Sequence, residues 1–198
     1  MKPSVQITSS AKLVSVIPFV IAAVFASYGP SLAQSSLQSK DRSIENKVPS
    51  HVPLAIRIKP AKVGKVKDPG NKNWFRDLEL EITNTSEKPV YYLNLFVKMA
   101  DVHNASGASM VFPIVYGRVD FVDFNVKPVP QDLPLLPGQT FTFQLPEKSA
   151  LAWEAWLRRN NKSDAMILEI LFNHLSFGDG TGFVSLDALP FPFKAAPE

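Results

Sequence analysis

The chain has 198 residues, 45% of them apolar and 20% charged, with a formal net charge of +3. Lys2 and Lys12 belong to an N-terminal leader; without them 19 basic residues face 18 acidic ones, which removes the electrostatic case for a nucleic-acid partner. The absence of cysteine excludes a disulfide framework, a thiolate metal site, a cysteine nucleophile and lipoprotein attachment, so the fold must rest on its hydrophobic core.

The leader has the three parts of a secretory signal: Lys2 and Lys12, then an uncharged and mostly apolar run over residues 13–26, then Ser31-Leu32-Ala33 with small residues where a peptidase cuts. The reading is a signal peptide over residues 1–33, cleaved after Ala33, and an exported protein, periplasmic or extracellular. The apolar run falls short of the roughly 20 residues of a spanning helix, so no membrane span is expected after cleavage. A retained N-terminal anchor is the alternative. Residues 34–51 are polar and read as a disordered linker. A single domain is expected over residues 52–194.

Within it, Leu54, Ile56 and Ile58 alternate with Ala55, Arg57 and Lys59, a strand signal of period two. After the Asp68-Pro69-Gly70 turn, residues 74–83 read as a strand with Leu78, Leu80 and Ile82 inward and Asp77, Glu79 and Glu81 outward. A strand over residues 90–99 points Tyr91, Leu93, Leu95, Val97 and Met99 to the core. Residues 110–124 are β-rich but carry Pro113 and Gly117, which fits an edge or bent strand. A proline-dense connection leads to the alternating strand 140–145. Residues 149–160 lack Gly, Pro and β-branched side chains; Ala150, Trp153 and Leu157 share a helical face, and Ser149 is placed as the cap. Residues 166–172 form an apolar run typical of a central strand. A Gly-rich turn follows at residues 177–183, then a last short strand, then a proline-rich tail along the surface. Six to eight strands and one helix predict an all-β fold, an antiparallel β-sandwich with one short inserted helix.

Two stretches carry a resemblance. Leu78-Glu79-Leu80-Glu81-Ile82-Thr83-Asn84-Thr85-Ser86-Glu87-Lys88-Pro89-Val90 resembles the hairpin of bacterial immunoglobulin-like surface modules, and Leu136-Pro137-Gly138-Gln139-Thr140-Phe141-Thr142-Phe143 is similar to the start of a later strand in them. The rest, with Tyr116-Gly117-Arg118 and the Gly-rich turn, looks like hypothetical exported proteins of acidobacterial type. The resemblance implies an immunoglobulin-like β-sandwich and a surface location, and no activity, because such sandwiches host many functions.

No catalytic constellation stands out, and the expectation is a non-enzymatic module that binds a protein or cell-envelope component. Asp179 and Thr181 are weak calcium candidates, since hard cations take carboxylate and carbonyl oxygens, but turn chemistry explains them as well; no other cofactor is expected. Trp74 and Phe75 at a strand start are ligand-binding candidates, and exposed there they would serve the alternative of a carbohydrate-binding domain. An unrecognised hydrolase is a further alternative. His51, His103 and His174 lack metal spacing. Asp120 and Asp123 point to opposite faces at strand spacing, whereas Arg118 and Asp120 share one and pair. Asp77, Glu79 and Glu81 read as a solvated acidic stripe.

Overall fold

The computed structural model describes residues 41–193. The leader, residues 34–40 of the linker and the last five residues lie outside this range. Nine strands form two sheets. The larger has the order β5(Ser109–Gly117)-β4(Tyr92–His103)-β7(Ile167–Ser176)-β8(Gly182–Val184)-β9(Leu189–Phe191), all antiparallel, with β1(Ser43–Asn46) pairing in parallel along the first half of β7. The smaller sheet has the antiparallel order β2(Leu54–Ile58)-β3(Glu79–Asn84)-β6(Thr140–Gln144).

The period-two pattern decides what lies between them. Leu80 and Ile82 of β3 and Leu93, Leu95, Val97 and Met99 of β4 are buried, and both sets belong to one apolar core with Ile56, Phe141, Phe143, Ile170 and Phe172. Two mostly antiparallel sheets facing across a shared core fit a β-sandwich. α3(Glu147–Asn160) lays Ala150 and Trp153 on that core, as its spacing predicts. Ser149 is not its cap: Pro146 holds that position, and the Ser149 amide donates to the Pro146 carbonyl. Asn161 in the left-handed region ends the helix.

Three local expectations are corrected. The polar linker is ordered from Arg42 onward: β1 joins β7, Ile44 and Val48 pack on the core, and Val52 is buried. Composition misled because a side chain outside the apolar class does the holding. Arg42 is 1% exposed; its Nε donates to the Ala165 carbonyl and Nη1 to the Val66 and Asp68 carbonyls, and its guanidinium lies 4.3 Å from the Trp74 ring centre. Second, residues 74–77 form a helical turn, α2(Trp74–Asp77), rather than the start of a strand. Trp74 and Phe75 are both buried, and adjacent residues on a strand would point to opposite faces. Third, the proline-rich tail supplies β9, with Phe191 stacked on Phe124 at 4.2 Å. A one-turn helix, α1(Val63–Lys67), also went unforeseen.

Candidate functional site

The structure removes the two sites named from sequence. Trp74 and Phe75 are 0% and 2% exposed. The Trp74 Nε1 donates to Asp164 at 2.7 Å, and Phe75 packs against Trp74, Phe112 and Trp153. They are core residues under α3 and present no ring face to a ligand. Asp179 and Thr181 do sit together, but their oxygens are already engaged. Asp179 Oδ1 accepts the amide and hydroxyl of Thr181, and Oδ2 accepts Lys88 Nζ at 2.7 Å. Lys88 also donates to the Thr181 hydroxyl, so an ammonium occupies the position a cation would take. Partial burial raises the Asp179 pKa, but the bonds from Lys88 and Thr181 outweigh it and leave the carboxyl below the usual range. Among the described residues no three His, Asp or Glu side chains converge as metal ligands.

The acidic stripe is matched rather than bare. Glu81 accepts from Arg57, Glu79 from Lys59 and Lys62, and Asp77 from Lys62. Arg118 does bond Asp120, though not through a shared strand face, and also makes a two-pronged pair with Asp132. Asp120 lies at a 3-10 turn over residues 119–122 rather than on a strand, so the parity argument about Asp123 does not apply there.

On the outer face of the larger sheet, residues 119–128 cover β4 and β7. Phe121 and Phe124 are buried there, Phe121 against Tyr91 and Phe124 stacked at 4.8 Å on the His174 imidazole, whose ring also meets Tyr92. His174 is 6% exposed, and its Nε2 and the Oδ1 of Asn94, its cross-strand neighbour, have no hydrogen-bond partner among the described residues. Burial pushes the imidazole pKa below its ordinary value, partly opposed by the Phe121 backbone. Periodicity does not reveal this cluster: Tyr92 falls opposite the inward set of its strand, and His174 reaches the same outer face only through the register shift between Phe172 and His174.

β5 is the other unusual feature. It is a nine-residue strand at the end of its sheet with no charged side chain. The direction of its amides follows from β4. Ser43 and Lys47 donate their N–H groups to the Met166 and Ile170 carbonyls, so the even residues in this half of β7 turn toward β1 while Glu169 and Leu171 turn toward their β4 partners Lys98 and Phe96; Leu95, Val97 and Met99 therefore point toward β5. Phe96 lies opposite Pro113. The missing N–H of Pro113 therefore faces outward, between the outward amides of Val111 and Val115, while Met110, Phe112 and Ile114 bond inward to β4. Among the described residues no other segment bonds to that edge. Side chains alternate in the same strand: Ile114 is buried, whereas Val111, Pro113 and Val115 are exposed on the outer face.

The chain beyond β5 continues this apolar surface, with Val119, Val122, Val129, Leu133 and Leu136 exposed. A cleft of about 360 Å³ lies at the C-terminal end of β5, lined by Tyr91, Tyr116, Arg118, Gln131, Asp132 and Leu133. Its one cation is bound to Asp120 and Asp132, and the Tyr116 hydroxyl donates to the Leu133 carbonyl. The cleft thus holds polar groups that satisfy one another.

Comparison with known protein families, with curated protein sequences and with solved structures finds no match for this chain.

Proposed function

We propose that this is an exported, non-enzymatic interaction module of the cell envelope. In this reading it is an immunoglobulin-like β-sandwich that offers the uncharged outer face of β5 to a protein partner. The observation that carries it is the exposed apolar row of Val111, Pro113 and Val115, with Val119 and Val122 exposed in the chain that follows. Pro113 leaves no N–H at the middle of the open edge, which guards that edge against pairing with a further strand. Side-chain contact with this apolar face therefore supplies the affinity.

The non-enzymatic reading is supported by the engagement of the nearby carboxylates. Asp120 and Asp132 neutralise Arg118, and Asp179 neutralises Lys88, which leaves neither cluster an unpaired acid–base couple. Export is supported by the leader, and the immunoglobulin-like class by the two hairpin resemblances together with the two facing sheets.

A charge placed on this face tests the reading. The purified exported chain is expected to be retained by a native envelope fraction and not by one treated with protease, and Val111→Lys/Val115→Lys is expected to lose that retention while keeping its thermal melt. Equal retention of the wild type and the variant refutes the reading.

A further inference from the structure

We propose that the open edge of β2 receives an extended peptide segment of a protein partner, apolar at alternate residues and acidic at its N-terminal end, laid antiparallel in the cleft between β2 and β1. This surface is separate from the outer face of β5.

The ladder bonds fix which way β2 turns. Thr85 donates to the Pro53 carbonyl and Lys59 to the Glu79 carbonyl, so Pro53, Ala55, Arg57 and Lys59 face β3. Ile56 and Ile58 therefore direct N–H and C=O away from β3, and β2 is the terminal strand of its sheet. Among the described residues no backbone group bonds to them there. Unlike β5, β2 holds no proline, and its one charge, Arg57, is paired across the ladder with Glu81.

The larger sheet forms the opposite wall. Ile44 of β1 and Ile170 of β7 line one cleft of about 280 Å³ with Ile56, Ile58, Val63 and Lys67. Its apolar wall is incompletely covered. Ile56 and Ile58 are half-buried, whereas Leu80 and Ile82 beside them on β3 are fully buried. An acyl chain would cover that wall but leave the Ile56 and Ile58 backbone groups without partners; a peptide strand satisfies both. Residues facing Ile56 and Ile58 in the added strand share their side-chain direction, so those are the apolar ones. Residues 47–53 join the end of β1 to the start of β2, so Ile58 and the start of β1 share one end of the cleft. There the Arg42 amide bonds the Lys67 carbonyl. Lys62 is held by Asp77 and Glu79, but Lys67 is exposed and in no ion pair among the described residues. An antiparallel strand sets its N-terminal end at Ile58, where an acidic residue meets Lys67.

The probe is the synthetic peptide acetyl-Asp-Asp-Val-Thr-Val-Thr-Val-amide, mixed with the purified exported chain. Fluorescence anisotropy of its labelled form is expected to saturate below about 1 mM, and amide exchange at Ile56 and Ile58 to slow. N-methylation at the valines removes the ladder bonds and is expected to abolish both signals. Lys67→Glu is expected to weaken binding at least about threefold, and a peptide with Lys-Lys in place of Asp-Asp to restore it on that variant. A thermal melt verifies the fold of Lys67→Glu. No saturation up to about 1 mM overturns the proposal, as does equal binding of the N-methylated peptide, unchanged binding by Lys67→Glu, or unchanged exchange at Ile56 and Ile58. Slow exchange at both amides before peptide is added also overturns it, because the edge is then filled by another part of the chain or by a second copy.

Discussion

On β3 the outward carboxylates of Glu79 and Glu81 are each met by a cation, from Lys59 and Lys62 or from Arg57. On β5 the outward positions hold Val111, Pro113 and Val115, and no charge guards the edge. Both strands alternate in the same way and bury the same kind of face. They differ in place, β3 central and β5 at an edge, and in what the other face presents. The smaller sheet is finished as a surface for water, with a net of partners that leaves it nearly neutral. The larger sheet stops at an apolar strand whose open edge lacks an N–H at Pro113. Inward patterning therefore fixes the fold on both sides, while the outward pattern separates a charged, solvated flank from an apolar one.

The largest expected effect comes from breaking the end of β5. Gly117 has φ +80°, and a Cβ there would lie 1.9 Å from the Tyr91 carbonyl oxygen. Gly117→Ala is expected to cost about 3 kcal/mol or more, measured by urea unfolding. A control at the end of β3 probes the solvated flank. Asn84 is fully buried; its amide donates to the Lys88 and Leu135 carbonyls while its oxygen accepts the Ser86 amide. Asn84→Ala strands those carbonyls and is expected to cost about 2–4 kcal/mol in the same assay.

A smaller effect depends on pH. Burial between Tyr92 and Phe124, with Asn94 across the strand and the Phe121 backbone nearby, holds the His174 pKa below 6.5. As pH falls below about 6.5, the unfolded chain takes up a proton that the folded chain refuses, so stability falls until the lower folded value is passed. His174→Phe is expected to flatten that part of the stability–pH curve; an unchanged slope between pH 7 and 5 counts against it. The smallest effect belongs to the matched stripe. Arg57→Gln/Glu81→Gln removes an exposed pair and is expected to move the melting midpoint by no more than about 3 °C.

Strands β2 to β7 were legible because each keeps a run of alternating or continuous apolar residues long enough to show its period. β1 was not. Ser43-Ile44-Glu45-Asn46 has one large apolar residue, and what orders it is the clamp of Arg42 on distant carbonyls. The turn at Trp74 was misread because two adjacent aromatic residues look like strand formers, and only the tertiary demand to bury both on one side makes a helical turn preferable. The site fared similarly. Pro113 marked β5 as an edge, but the direction of its missing N–H depends on its register with Phe96, and periodicity carries no register. The aromatic cover over His174 depends on residues 119–128 folding back across β4, a contact between segments about 50 residues apart that local patterning does not encode.

The Arg42 clamp also bears on how the chain matures. Arg42 is made early, and its Ala165 acceptor comes 123 residues later. Made or threaded across a membrane from its N-terminus, the chain carries β1 without a partner until β7 has emerged. The earliest strand is thus seated only late, and its docking serves as a completeness check: a chain truncated before Ala165 has no mate for β1 and leaves the guanidinium without its Ala165 acceptor.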